Sequence, residues 1–151
     1  MINTSTRDEK ISPEALLKQG KIIQIPTHGN SMTPFLISGR DEAVIEPADV
    51  SSARRGDVVL YRRKGGRLVL HRIYKIKGQS FYAIGDSQTQ VEGPIQQDAI
   101  IGKLSAIVKN GKLRPVGTGM DRFLSDIWLY LRPIRPILFR IGHYLKKYLK
   151  K

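Results

Sequence analysis

A mainly β domain, antiparallel and partly closed, with a short N-terminal helix and a C-terminal amphipathic helical tail, is the fold this sequence predicts. Three observations carry it. Segments of strand length rich in Val, Ile and Leu follow one another with no helical stretch between them. Glycine-containing turns separate several of them. Beyond residues 115–119 the spacing of apolar residues changes to the 3.6-residue helical period. A chain of 151 residues, 40% of them hydrophobic, has enough apolar side chain for one real core.

The elements follow in order. Ser12-Pro13-Glu14 opens a helix, with Ser12 able to cap it, Pro13 suited to its first turn and Gly20 able to end it. Residues 1–20 thus form an N-terminal segment. Residues 21–27 (KIIQIPT), 42–47 (EAVIEP), 57–62 (DVVLYR), 67–76 (RLVLHRIYKI), 80–84 (SFYAI) and 100–108 (IIGKLSAIV) read as strands. Lys64-Gly65-Gly66 and Lys77-Gly78-Gln79 fit hairpin turns. Asn110-Gly111 is the strongest hairpin signal, because a type I′ turn needs positive φ at both central residues. The β-domain spans residues 21–116. Residues 117–151 form the tail, in which Leu124, Ile127, Trp128 and Leu131 share one helical face. Pro133 and Pro136 interrupt the helix, and Leu138, Ile141, Leu145 and Leu149 resume the stripe.

Composition excludes several functions. There is no cysteine, so disulfides, thiol nucleophiles and thiolate metal sites are out. His28, His71 and His143 are too scattered to read as a zinc site, and no metal or cofactor is expected. The first residues, among them Arg7, Asp8, Glu9 and Lys10, are polar and lack the apolar core of a secretory signal. No apolar run approaches the about 18 residues needed to span a bilayer. The net charge is +13, and residues 121–151 hold eight Lys/Arg against two Asp. That balance favours an anionic partner, a membrane surface or nucleic acid.

One constellation carries chemistry. Gly29-Asn30-Ser31-Met32-Thr33-Pro34 follows a strand. A serine between Gly-Asn and a polar loop can present its hydroxyl and neighbouring amides to one pocket, as a nucleophile with a backbone oxyanion hole requires, although Gly-Asn-Ser is also an ordinary turn. His71 lies inside an apolar strand, where a general base would be held rigidly and where a structural histidine bonded to a carbonyl is equally at home. Gly85-Asp86-Ser87 follows a third strand. Its carboxylate could orient an imidazole, or simply make an Asx turn.

Taken together, G-N-S-M-x-P, R-G-D-V-V-L-Y, V-L-H-R-I, I-G-D-S and I-I-G-K resemble, in order and spacing, the boxes of the signal-peptidase and LexA-like serine peptidases, over residues 21–110. The resemblance implies that Ser31 is the nucleophile and that His71 stands where bacterial signal peptidases carry a lysine base, as in the archaeal and endoplasmic-reticulum enzymes. It implies that Asp86 matches the aspartate of the family's G-D-N box. In the histidine-type enzymes a second acid a few residues later joins the triad, and Glu92 occupies about that place. The choice between Asp86 and Glu92 stays open. Gly29 and Asn30 stand where many signal peptidases have Ser-Gly, which leaves the Ser31 amide and groups at Gly29-Asn30 as oxyanion donors. Met32 and Pro34 complete the nucleophile box beside the substrate. His28 is a spare base, less suited because it is three residues from Ser31 on the same turn. The resemblance further implies cleavage after a small residue, with another small residue near position −3, in a peptide bound as an added strand. On this reading the protein is expected to work without the family's usual N-terminal anchor and without a LexA-like DNA-binding domain.

The tail interleaves Trp128, Tyr130, Phe139, Tyr144 and Tyr148 with Arg and Lys, a pattern suited to lying on anionic lipid. The expected membrane-facing set is Trp128, Arg132, Arg135, Phe139, Arg140, Lys146 and Lys147. Packing of the same apolar face on the β-domain is the competing expectation. Because the strand pattern closes before Pro115, the tail should be dispensable for folding of the β-domain. The combined expectation is a cytoplasmic, membrane-peripheral processing peptidase acting on a leader or signal-like peptide. The alternative is a catalytically weak relative serving as a binding or scaffold module at an anionic surface. Scattered basic residues and few stacking aromatics argue against nucleic acid.

Overall fold

In the computed structural model, which describes residues 11–150, Ser12 accepts a hydrogen bond from the Ala15 amide and starts α1 (Pro13–Lys18). Gly20 follows with φ +79°, a conformation that favours glycine at a helix end. The polar residues Arg7, Asp8, Glu9 and Lys10 lie outside the described residues. Eight antiparallel strands come next: β1 (Ile23–Pro26), β2 (Asp41–Pro47), β3 (Val58–Arg62), β4 (Leu68–Lys77), β5 (Ser80–Ile84), β6 (Glu92–Gln96), β7 (Ile100–Lys109) and β8 (Lys112–Pro115). Among the described residues strand exceeds helix, 36% against 30%, so the fold is mainly β.

The strands form one open sheet in the order β1-β2-β7-β3-β4-β5-β6. Strand β7 is its hub. One edge pairs with β2 from Gly102 to Lys109, while the other pairs with β3 over its first residues and with β8 over its last. The β7–β8 turn is Asn110-Gly111, with φ of +51° and +73° at the two residues, as the hairpin signal required. Two strands are absent from the sequence expectation. In β6 the sequence EGPIQ buries only Ile95, and in β8 the sequence KLRP is wholly exposed, so neither displays alternating apolar residues.

Strand β3 is buried on both faces, and this divides the core in two. Val58 and Leu60 join Leu17, Met32, Leu36, Ile45 and Leu104 in one cluster. Val59 and Tyr61 join Ile73, Phe81, Ala83, Ile95 and Ile100 in the other. The β3–β4 register sets Val59 opposite His71 and Val58 opposite Arg72. Adjacent residues of β4 therefore face different cores, and each polar side chain needs its own partners.

The tail forms α2 (Gly119–Tyr130), a 3-10 turn at Arg132–Ile134 and α3 (Arg135–Leu149), with the prolines at the junction. Its inner part corrects the expected membrane-facing set. Arg135 is fully buried, at 0% exposure. Its guanidinium donates to the carbonyls of Gly85 (3.0 Å), Gln88 (2.6 Å) and Trp128 (2.9 Å). The Trp128 ring packs edge-on against Phe35 and Phe139, and its Nε1–H donates to the Asp86 carbonyl at 2.8 Å. Arg132 donates to the Thr89 carbonyl and lies over the Tyr74 ring. Trp128, Arg132, Arg135 and Phe139 thus serve the β-domain. A planar five-donor cation can be buried where backbone carbonyls match its fork. Arg140, Lys146 and Lys147 are exposed. Among the described residues, no helix is long and apolar enough to cross a membrane.

Candidate active site

Ser31 lies in the series of turns between β1 and β2. Met32 and Leu36 anchor this segment by inserting into the first core cluster. The Asp41 carboxylate accepts from the Ile37 amide at 2.9 Å, and the Ser38 hydroxyl donates to the Thr27 carbonyl at 3.0 Å. Gly29, at φ +76°, turns the chain just before Asn30 and Ser31. The Ser31 carbonyl accepts from the Ser87 amide at 2.9 Å, which ties the Ser31 segment to the loop after β5. A Cβ on Gly85 would lie 2.7 Å from that carbonyl, so only glycine permits this approach.

Ser31 and His71, 40 positions apart in sequence, line one cleft of about 520 Å³. Gly29, Asn30 and Met32 line it as well, as does His28. Pro34 is exposed and stands outside the lining. Among the described residues no hydrogen bond joins the Ser31 hydroxyl to the His71 ring. Two strand edges border the cleft. Residues 68–71 of β4 pair with β3 on one side, but β5 takes up pairing only from Arg72, so among the described residues their other edge is free. Among the described residues, strand β1 ends the sheet and pairs only with β2. An extended peptide fits between such edges, because unpaired N–H and C=O groups on both sides can complete its ladder.

The two carboxylates occupy different environments. Asp86 is fully buried, and Arg72 engages both its oxygens at 2.8 and 2.7 Å. The remaining Arg72 donor reaches the Gly56 carbonyl and the Ser125 hydroxyl of α2. Glu92, at the start of β6, receives two hydrogen bonds from Arg63, both at 2.7 Å, and one from the Tyr61 hydroxyl at 2.7 Å. Its Oε2 lies 3.7 Å from His71 Nδ1, and the Tyr61 hydroxyl lies 3.2 Å from the same nitrogen. Asp86 therefore serves Arg72 and the tail, whereas Glu92 stands beside the imidazole.

Electrostatics follow from this arrangement. Burial pushes the His71 pKa down to about 4 against the opposing attraction of Glu92, so the ring is neutral near pH 7. The Arg63 hydrogen bonds hold Glu92 below the usual carboxylate range. Burial, followed by the Glu92 hydrogen bond, raises the Tyr61 pKa and keeps its proton on the oxygen. A neutral imidazole beside a serine can accept the hydroxyl proton. Among the described residues, no group of three His, Asp or Glu side chains could hold a metal ion.

No family model, curated protein or solved structure matches the chain. The geometry brings together Ser31, His71, Glu92, Gly29, Asn30 and Met32, and assigns Asp86 to a neighbouring ion pair. Sequence reasoning missed Tyr61, Arg63 and Arg72. Tyr61 was accessible in principle: the Lys64-Gly65-Gly66 turn sets Val59 opposite His71, and Tyr61 lies two residues along the same face. The Arg63–Glu92 pair spans 29 positions between a turn and a strand start, and no local pattern signals it.

Proposed function

We propose that this protein is a serine endopeptidase that processes a leader or signal-like peptide after a small residue, with Ser31 as nucleophile and His71 as general base. The observation that carries this reading is the single cleft shared by Ser31 and His71 and bordered by two free strand edges. The peptide binds as an added strand. Ser31 Oγ attacks the scissile carbonyl while His71 accepts its proton, and the oxyanion is met by the Ser31 amide and donors at Gly29-Asn30. His71 returns the proton to the leaving amine, then activates the water that hydrolyses the acyl-enzyme. Glu92 supplies the negative charge that favours the transient imidazolium, being the carboxylate beside the ring.

The outer tail supports a place at the cytoplasmic face of a membrane. Ile137, Ile141, Tyr144, Leu145 and Tyr148 are each more than half exposed, and Arg140, Lys146 and Lys147 accompany them. Residues 127–151 contain no Asp or Glu. An apolar stripe flanked by cations fits anionic lipid.

The test is processing of a fluorescence-quenched peptide library carrying alanine at positions −3 and −1. Wild-type protein cleaves it, and Ser31→Ala and His71→Ala each abolish cleavage while retaining wild-type circular dichroism. The double variant is no worse than either single one, because the two residues act as a unit. Cleavage by Ser31→Ala at the wild-type rate rejects the reading and leaves the binding-module alternative.

A further inference from the structure

The Tyr61 hydroxyl stands between His71 and Glu92, and its single proton can serve only one of them. Glu92 is held ionised by two hydrogen bonds from Arg63, so it has only acceptor positions to offer. Tyr61 lies 2.7 Å from Glu92 Oε2 and 3.2 Å from His71 Nδ1. The shorter, charge-assisted bond takes the proton. The Tyr61 oxygen is then an acceptor toward His71, and the proton between them belongs to the ring. Both partners are nearly sealed from solvent, Tyr61 at 1% and His71 at 2% exposure, so bulk water does not compete for this bond.

We infer that Tyr61 is a positioning residue which, held by the Arg63–Glu92 pair, fixes His71 in the Nδ1–H tautomer and leaves Nε2 as the basic nitrogen for Ser31. This deepens the peptidase reading and rests on it for the role of Nε2. A triad usually has the carboxylate directly on the imidazole, where it selects the tautomer by accepting from Nδ1–H. Here the phenol transmits the same preference. Glu92 stays 3.7 Å from the nitrogen, and Tyr61 fills the hydrogen-bonding position. The titratable or charged groups around His71 are Tyr61 on β3, Arg63 in the turn after it, Glu92 at the start of β6 and Asp86 after β5. Of these, Tyr61 is the one within hydrogen-bond distance of Nδ1.

The experiment reads the tautomer without substrate. Protein labelled with 15N-histidine, carrying His28→Gln and His143→Gln so that one imidazole remains, is examined by long-range 1H–15N correlation at pH 7. The expected result is a pyrrole-type Nδ1 and a pyridine-type Nε2. Tyr61→Phe should convert at least half of the population to the Nε2–H form. On the peptide library it should lower kcat at least about tenfold with KM unchanged, within the range a misdirected base costs. Glu92→Gln, which frees the Tyr61 proton to point at the ring, should shift the tautomer the same way. An Nε2–H ring in the wild-type chain overturns the inference, and so does a Tyr61→Phe variant with the wild-type tautomer or the wild-type kcat. Failure of the peptidase reading is separate, because it appears as wild-type cleavage by Ser31→Ala whatever the tautomer.

Discussion

Glu92 and Asp86 are both acids near His71, yet their loss should be read out differently. Asp86→Asn leaves Arg72 charged and buried against a neutral amide. Breaking one partner of a buried pair costs about 3–5 kcal/mol, so urea unfolding should register a loss of that size. Glu92 is partly exposed and its ion pair is worth little to stability, so Glu92→Gln should change the unfolding midpoint only slightly. Its loss should fall on turnover, by about 10²-fold or more. His71 adds a pH signature. Its pKa is depressed from 6.5 to about 4 in the fold, so between those values the unfolded chain binds more protons than the folded one. Stability is therefore fully present above pH 6.5 and is lost as pH falls toward 4, by on the order of 3 kcal/mol. Urea titrations from pH 7 to pH 5 should resolve that slope, and His71→Leu should flatten it.

At the scale of the elements, the loop after β5 is where the sheet, the Ser31 segment and the tail meet. Its Ser87 amide holds Ser31, and its carbonyls at Gly85, Asp86, Gln88 and Thr89 are taken by Arg135, Trp128 and Arg132. Gly85→Ala pushes a methyl group against the Ser31 carbonyl and the Gln88 side chain. It should lower library cleavage about tenfold or more through a misplaced nucleophile, since sub-ångström errors are costly there, with little change in secondary structure. Arg135→Met removes the guanidinium from the carbonyls of Gly85, Gln88 and Trp128, of which Gly85 keeps the Gln88 amide as a donor, and should cost about 1–3 kcal/mol. Trp128 is the single tryptophan in the chain, so its emission reports on this junction. A red shift in Arg135→Met at urea concentrations below the main transition would mark release of α2 from the sheet. Unchanged emission up to the main transition would place the arginine's contribution elsewhere.

For the whole molecule, the tail divides at about Phe139. Up to that point Ser125, Trp128, Arg132 and Arg135 tie it to the sheet, and from Arg140 to Lys150 every residue is exposed. Removing residues 140–151 should leave the thermal midpoint within a few degrees of wild type, because it takes away no buried side chain among the described residues. The same truncation should abolish binding to vesicles containing phosphatidylserine. Full-length protein should be released from them only in part by high salt, because screening weakens the lysines and not the apolar face. Removing residues 121–151 should instead destabilise the β-domain strongly, since it strips Ser125 from Arg72 and Trp128 and Arg135 from the loop after β5. Equal stability of the two truncations would contradict this division.

Features written by local chemistry are legible along the chain. These are the capped first helix, the strands whose apolar residues build both cores, the Asn110-Gly111 hairpin and the proline break in the tail. Each depends on residues within a few positions of one another, where backbone propensity and side-chain periodicity act. The meeting of Ser31 with His71 was legible only through resemblance of the motif order. The tertiary structure decided which carboxylate faces the imidazole, since Asp86 and Glu92 differ by the cation each one meets and not by their own chemistry. It decided that Tyr61 stands between ring and acid, and that Arg135 belongs to the interior. An arginine in a basic tail looks like surface because exposure is the usual state of a charge. Arg135 is buried because three carbonyls, supplied by the loop after β5 and by α2, converge on it. Such convergence is a property of distant segments brought together, which no window of the sequence contains.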